Sequence, residues 1–181
     1  MPHISTPTEP LKEGQRLPEI FVYNDNGSLF SLSSPNADLR WRIILLHRGK
    51  RCQVCKLYLE QWSKHSEALS DLGIELIAAS GDPRKPEASN DDALPGVKYG
   101  YGLSRKHLNA LGAYTYLDSK ANRLQPEPAV ILIDQHGDVK MSHYSSSPFL
   151  QANINLLLSG IRWLNLTEAK QQSASLATAA N

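Results

Sequence analysis

The chain has 181 residues, enough for one domain with a sizeable core, and with 41% hydrophobic and 20% charged residues its composition is that of an ordinary globular protein. A formal net charge of +1 leaves no basic field to draw nucleic acid or an anionic membrane, so neither is expected as a partner. No stretch approaches the roughly 18 apolar residues that span a bilayer. The first ten residues lack the basic start and apolar run of a secretory signal, and the expected location is cytoplasmic.

Taken in chain order, residues 1–10 read as a flexible lead-in, because Pro2, Pro7 and Pro10 remove donors and hold the chain out of helix. Asn26-Gly27, between Ile20–Tyr23 and Leu29–Leu32, predicts an N-terminal β-hairpin with both turn residues at positive φ. Arg42–His47 is a continuous apolar run of the kind buried on both faces of a sheet. From Cys52 to about Leu72 the period becomes helical, with Val54, Leu57, Tyr58, Trp62, His65 and Leu69 near one stripe and Gly73 at the C-cap. Ile74–Ser80 is the next buried strand. Strand, helix, strand makes a right-handed βαβ unit with parallel strands.

Residues 81–102 read as an irregular insertion, and Ser104 caps a short helix reaching Leu111. Ala129–Asp134 is a third buried strand, turned by Gln135-His136-Gly137 into a partner over Asp138–His143. Phe149, Ile154, Leu157, Ile161 and Leu164 mark a final amphipathic helix. The domain is expected to cover residues 11–165, with 166–181 a disordered tail that has nothing to bury. The fold class is α/β: a central mixed sheet flanked by helices, with an N-terminal hairpin. A βαβ unit followed by a ββα unit resembles the thioredoxin arrangement.

The two cysteines, Cys52 and Cys55, are too few and too close for the disulfide framework of a secreted protein. They follow a buried strand and open a long helix, where free N–H groups and the helix dipole favour negative charge. Arg48, Lys50 and Arg51 add cations just upstream, and such settings lower a cysteine pKa from about 8.5 into the range of roughly 3.5–7.5. The thiolate is the attacking species, and a second thiol one helical turn on can resolve the mixed disulfide. A pair buried only for packing is the bland alternative. Zinc would need two further ligands, and neither a second cysteine pair nor finger-spaced histidines supplies them, so no metal or other cofactor is expected. His47, at the end of its strand just ahead of the cysteines, is read either as a group that tunes the thiolate or shuttles protons or, the reading favoured, as a histidine satisfied by backbone.

Further motifs bring a family into view. Leu11 to Ile20, Asp25-Asn26-Gly27 with Ser31-Leu32, Arg48-Gly49-Lys50-Arg51-Cys52-Gln53-Val54-Cys55, and Pro128 to Asp134 with His136-Gly137 occur in the order found in peroxiredoxins. From Leu11 to Leu164 the chain resembles the peroxiredoxin-like AhpC/TSA proteins of the thioredoxin-fold superfamily. The resemblance implies a cis-proline at Pro128 beside the cysteines, against the plainer reading of a strand-start proline. It also implies catalysis by Cys52 and Cys55, with Arg48, Arg51 and Pro128 tuning the thiolate or binding substrate.

Against the family's Pro-x-x-x-Thr-x-x-Cys, Arg48 stands at the proline position and Cys52 at the threonine position. Two mechanisms follow. Either Cys52 attacks and Cys55 resolves, the order favoured here, or Cys55 is oxidised by peroxide to a sulfenic acid that condenses with Cys52. Both imply a peroxide or disulfide substrate, an external thiol reductant of thioredoxin or glutathione type, and an antioxidant role. A homodimer is compatible with the resemblance. The rival class is a non-enzymatic redox sensor or adaptor on the same fold.

Overall fold

The computed structural model describes residues 9–34, 39–83 and 93–179, with side chains to 167. It divides into two compact units, 1–151 and 152–181. The first holds the sheet, in the order β5-β4-β3-β8-β9. Its centre is β3 (Trp41–Leu46), buried at every residue, between β4 (Ile74–Ala79) and β8 (Ala129–Asp134). β3 runs parallel to β4 and antiparallel to β8, with Leu46 opposite Ala79 on one side and Ala129 on the other. β5 (Lys98–Gly100) pairs parallel with β4, and β9 (Val139–Tyr144) pairs antiparallel with β8. The sheet is therefore mixed, as expected. Its apolar face is continuous with Leu17, Val22, Leu32, Leu103 and Leu108 in one core.

β1 (Phe21–Tyr23) and β2 (Leu29–Ser31) form the N-terminal hairpin, but not through a two-residue turn. Tyr23 faces Leu29, leaving residues 24–28 as a loop in which Asn24 accepts from the Gly27 N–H and, by its side chain, from the Ser28 N–H. Only Gly27 has positive φ there, so the loop needs one left-handed residue rather than two.

The expected long helix is two. α1 (Gln53–Ser63) and α2 (Ser66–Asp71) are separated at Lys64-His65. Ser63 Oγ donates to the Pro95 carbonyl at 2.7 Å, and the Gly96 backbone presses against Ser66 so closely that an added Cβ would sit 2.2 Å from Ser66 Cβ. The break thus comes from a distant loop seated on the helix. α3 (Arg105–Ala110) begins as expected: Ser104 and His107 form a reciprocal capping box. β6 (Thr115–Asp118) and β7 (Arg123–Pro126) form a small hairpin that the sequence reading left unassigned.

In the second unit α4 (Ile154–Ala179) starts at Asn153, whose side chain accepts from the Leu156 N–H. Phe149 lies before the helix, not on it. The backbone stays helical to Ala179 where the composition predicts a disordered tail. The Ala, Gln, Leu and Lys residues of 166–179 are good helix formers. The lead-in expected over 1–10 falls outside the described residues apart from Glu9 and Pro10, as does much of the 81–102 insertion. Among the described residues, no helix is long and apolar enough to cross a membrane.

A paired-cysteine site at the end of the central strand

β3 leaves the sheet at Leu46 and reaches α1 through six residues, 47–52. The Cys52 N–H donates to the Gly49 carbonyl at 3.2 Å, so residues 49–52 form a tight turn that delivers Cys52 to the helix N-cap. Cys52 is extended (φ −88°, ψ 97°), and its Sγ accepts from the Cys55 N–H at 3.2 Å. Cys52 and Cys55 are joined in a disulfide, with Cα atoms 5.2 Å apart. The two sulfurs have unequal access: Cys55 is 2% exposed, whereas Cys52 is only partly buried.

The first turn of α1 carries no acidic residue, and the Cys52 sulfur is the side-chain acceptor that caps it. In the reduced protein, Cys52→Ser keeps a cap acceptor and Cys52→Ala removes it. The alanine variant is expected to be less stable than the serine variant by about 1 kcal/mol, read from urea midpoints under reducing conditions. Equal midpoints would sink the capping role.

Three carboxylates from three other segments hold the turn. Asp82, just after β4, accepts from the Lys50 N–H at 2.7 Å and from Gln125 Nε2 at 2.6 Å. Gln125 Oε1 in turn accepts from the Gly81 N–H at 2.8 Å. Gly49 has φ +82°, and an added Cβ would lie 2.5 Å from Asp82 Oδ2, so this carboxylate reaches the turn only because residue 49 has no side chain. Asp118, at the end of β6, lies 3.6 Å from Arg51 Nη1. Glu127 takes Arg48 by both edges, with Nε–Oε2 at 2.7 Å and a second contact from Nη2 to Oε1.

The cations read from the sequence as a bare field before Cys52 therefore meet carboxylates: Arg48 is forked by Glu127 and Arg51 reaches Asp118. The Lys50 ammonium lies over the Tyr101 ring, 5.9 Å from its centroid. Glu127, Asp82 and Gln125 were missed as site residues. The usable signal was register: Leu46 faces Ala129, and continuing by two residues sets Arg48 opposite Glu127.

His47 is 7% exposed, and its Nδ1 accepts from the Gly49 N–H at 3.1 Å, which requires a neutral ring with its proton on Nε2. It is satisfied by backbone, as the sequence suggested. Burial pushes its pKa down to about 4, against the opposing charge of Asp82. Because the folded value lies below the unfolded one of about 6.5, the unfolded chain gains the proton first as pH falls. Stability is full above pH 6.5 and is expected to drop by about 3 kcal/mol between pH 6.5 and 4 from this group. His107 is also shifted down by burial and by Lys106, so the contribution is read as the difference from His47→Asn, whose curve should be flatter in this window. Parallel curves would reject it.

Pro128 is buried beside this turn, but it is not the expected cis-proline: every described peptide bond is trans. Its carbonyl accepts from the Ser145 N–H at 2.9 Å, and the preceding Glu127 N–H donates to the Tyr114 carbonyl at 2.8 Å. Neighbouring segments thus take up this backbone, and Pro128 acts as the proline that starts a strand. Among the described residues, no group of three or more His, Cys, Asp or Glu could hold a metal ion.

Comparison with known proteins agrees with this architecture. The sequence matches the AhpC/TSA family over residues 13–142. No curated protein matches it. Among solved structures, a peroxiredoxin-like protein from Aquifex aeolicus superposes with a TM-score of 0.68 at 18% identity, covering 86% of this chain and 88% of the other. A cysteine-to-serine mutant of peroxiredoxin 6 from Arenicola marina gives 0.72 at 18% identity, over 87% and 75% of the two chains. AhpC from Enterococcus faecalis gives 0.65 at 18% identity, over 90% and 94%. At these identities the structures speak for the fold, and the family match speaks for descent: the chain belongs to the AhpC/TSA family, with a peroxiredoxin-like thioredoxin fold.

Proposed function

We propose that this protein is a thiol–disulfide oxidoreductase of peroxiredoxin-like type, in which Cys52 attacks and Cys55 resolves. The observation that carries the reading is the unequal access of the two sulfurs, with Cys52 part-exposed at the helix N-cap and Cys55 2% exposed beneath it. The Cys52 thiolate, stabilised by the N–H of Cys55, attacks one sulfur of a substrate disulfide and expels the other as a thiolate. Cys55, deprotonated, then attacks the Cys52 sulfur, closing the Cys52–Cys55 disulfide and releasing the second substrate thiolate. Two electrons pass from the protein to the substrate. An external thiol reductant of thioredoxin or glutathione type restores them.

The peroxiredoxins among the similar structures favour a second oxidant. A peroxide would oxidise Cys55 to the sulfenic acid and leave as an alcohol or water, and Cys52 would displace water to form the same disulfide. The two routes are separated by stopped-flow oxidation of the reduced protein with hydrogen peroxide or a small disulfide, in the wild type, Cys52→Ser and Cys55→Ser. Disulfide reactivity lost in Cys52→Ser supports Cys52 as attacker. Peroxide reactivity that survives in Cys52→Ser and vanishes in Cys55→Ser would replace this reading with a Cys55 peroxidase. Slow oxidation by both would leave a sensor or adaptor.

A further inference from the structure

Arg48 and Glu127 form a pair that neither the helix nor the sheet ladder requires. Glu127 is 2% exposed, and its carboxylate receives the Arg48 guanidinium as a two-point fork. The Arg48 guanidinium carbon also lies over the Tyr116 ring, 4.1 Å from its centroid, so a strand of the β6–β7 hairpin closes one face of the cation. The pair sits where β3 has left the ladder and β8 has not yet entered it. Arg48 directly precedes the Gly49–Cys52 turn, and Glu127 directly precedes Pro128 and β8.

The charged and titratable groups on the turn that carries Cys52, or packed against it, are neutral His47, Arg48, Lys50 and Arg51 on the loop, Lys56 on α1, Asp82 after β4, Tyr101 just beyond β5, Tyr116 and Asp118 on β6, and Glu127. Among these, Glu127 is the most deeply buried carboxylate, and its fork is the tightest ion pair.

We infer that Glu127 is a positioning residue for the cysteine pair: by forking Arg48 it fixes the catalytic turn against the start of β8 and cancels the Arg48 charge that would otherwise act on Cys52. This rests on the reading of Cys52 as the attacking sulfur, but it concerns a property of the thiol that can be measured without turnover. Its two parts separate by substitution. Glu127→Gln keeps the shape and removes the charge. Arg48→Lys keeps the charge but loses the planar fork and the stacking on Tyr116.

The experiment uses the full chain in a Cys55→Ser background, where Cys52 is the single thiol. The rate of alkylation by iodoacetamide is followed against pH, and the rate of attack on a neutral small disulfide is measured above the midpoint. Glu127→Gln is expected to lower the alkylation midpoint by about 0.5–1 pH unit, because an uncompensated cation favours the thiolate. Arg48→Met is expected to raise it, and the double variant Arg48→Met/Glu127→Gln to restore it. Arg48→Lys is expected to leave the midpoint in place and slow the attack roughly 10-fold, as loss of alignment does.

A midpoint unmoved by Glu127→Gln, whatever happens to its melting temperature, would reduce the pair to a structural ion pair. Should that single variant fail to fold, the comparison of Arg48→Met with the double variant reads the same charge. Disulfide exchange that persists in Cys52→Ser would overturn the function proposed above and leave this titration result standing.

Discussion

Glu75→Ala is expected to destabilise the protein by about 3–5 kcal/mol, because it leaves a guanidinium buried without its counter-charge. Arg42 and Glu75 are direct partners across β3 and β4, and the Arg42 side chain is only 3% exposed. Arg42 Nε donates to Glu75 Oε2 at 2.6 Å, while Nη1 donates to the carbonyls of Ser31 and Leu32 at 2.6 and 2.8 Å, tying the end of the hairpin to the sheet. Burial drives the Arg42 pKa down, and Glu75 is what opposes it. Lys98, 3.3 Å from the other Glu75 oxygen, is more exposed and can turn to water. The two carbonyls remain in the variant, but they offer partial charges against a full one. The double variant Arg42→Met/Glu75→Leu should recover most of the loss, since an apolar pair of similar volume has no charge to desolvate. Urea unfolding with an unchanged m-value checks both. A loss below about 1 kcal/mol in Glu75→Ala would mean that water reaches Arg42.

The largest effect on activity is expected at the cysteines. Cys55→Ser should still attack a small disulfide through Cys52 but should stop there, accumulating one substrate half per chain as a stable mixed disulfide visible by mass spectrometry. Turnover with an external thiol should fall by roughly 10³-fold or more, as when one member of a concerted set is removed. Cys52→Ser should lose the first step and form no adduct. The asymmetry follows from access: a bulky disulfide meets Cys52 first, and Cys55 needs only to reach a neighbour one turn away. Stable adducts on Cys55 in the Cys52→Ser protein, formed as fast as in the parent, would reverse the assigned order.

Much of the fold was legible because its central strands are continuous apolar runs. Trp41–Leu46, Ile74–Ala79 and Ala129–Asp134 fall within a residue of their expected positions, and Gly73 and Ser104 end and begin helices as their chemistry suggests. The misses share a cause: they depend on residues far away in sequence. Nothing near Lys64-His65 announces the break between α1 and α2, which comes from the loop at Pro95 and Gly96. The β6–β7 hairpin has no alternating apolar pattern. Its turn is made by Asp118, which accepts from the N–H groups of Lys120 and Ala121, and by Asn122 in the left-handed region.

The site divides in the same way. The cysteines and their place at a strand-to-helix junction are local facts, so the sequence carries them. Glu127 and Asp82 act on the turn from the ends of other strands, across 79 and 32 residues of chain, and only the sheet register brings them there. The expectation of three cations acting on Cys52 failed to count the carboxylates delivered from outside its own segment.

The sheet also has a property that bears on how copies of the protein meet. A central sheet exposes unpaired N–H and C=O groups along its outer strands, an open template for another chain. Here β5 is three residues long, and just beyond it Tyr101 exchanges both backbone hydrogen bonds with Tyr23 of β1. At the opposite side the start of β9 is taken by the opening segment: the Gly14 N–H donates to the Val139 carbonyl, and the Val139 N–H donates to the Gln15 carbonyl. Farther along, Ser142 Oγ donates to the Leu11 carbonyl, keeping that segment alongside the strand. Each margin is thus met by the chain's own backbone at one residue, Tyr101 just beyond β5 and Val139 at the start of β9. At Tyr101 and at Val139 the outward N–H and C=O groups are already spent within the chain, so a second copy cannot add a strand at those two residues.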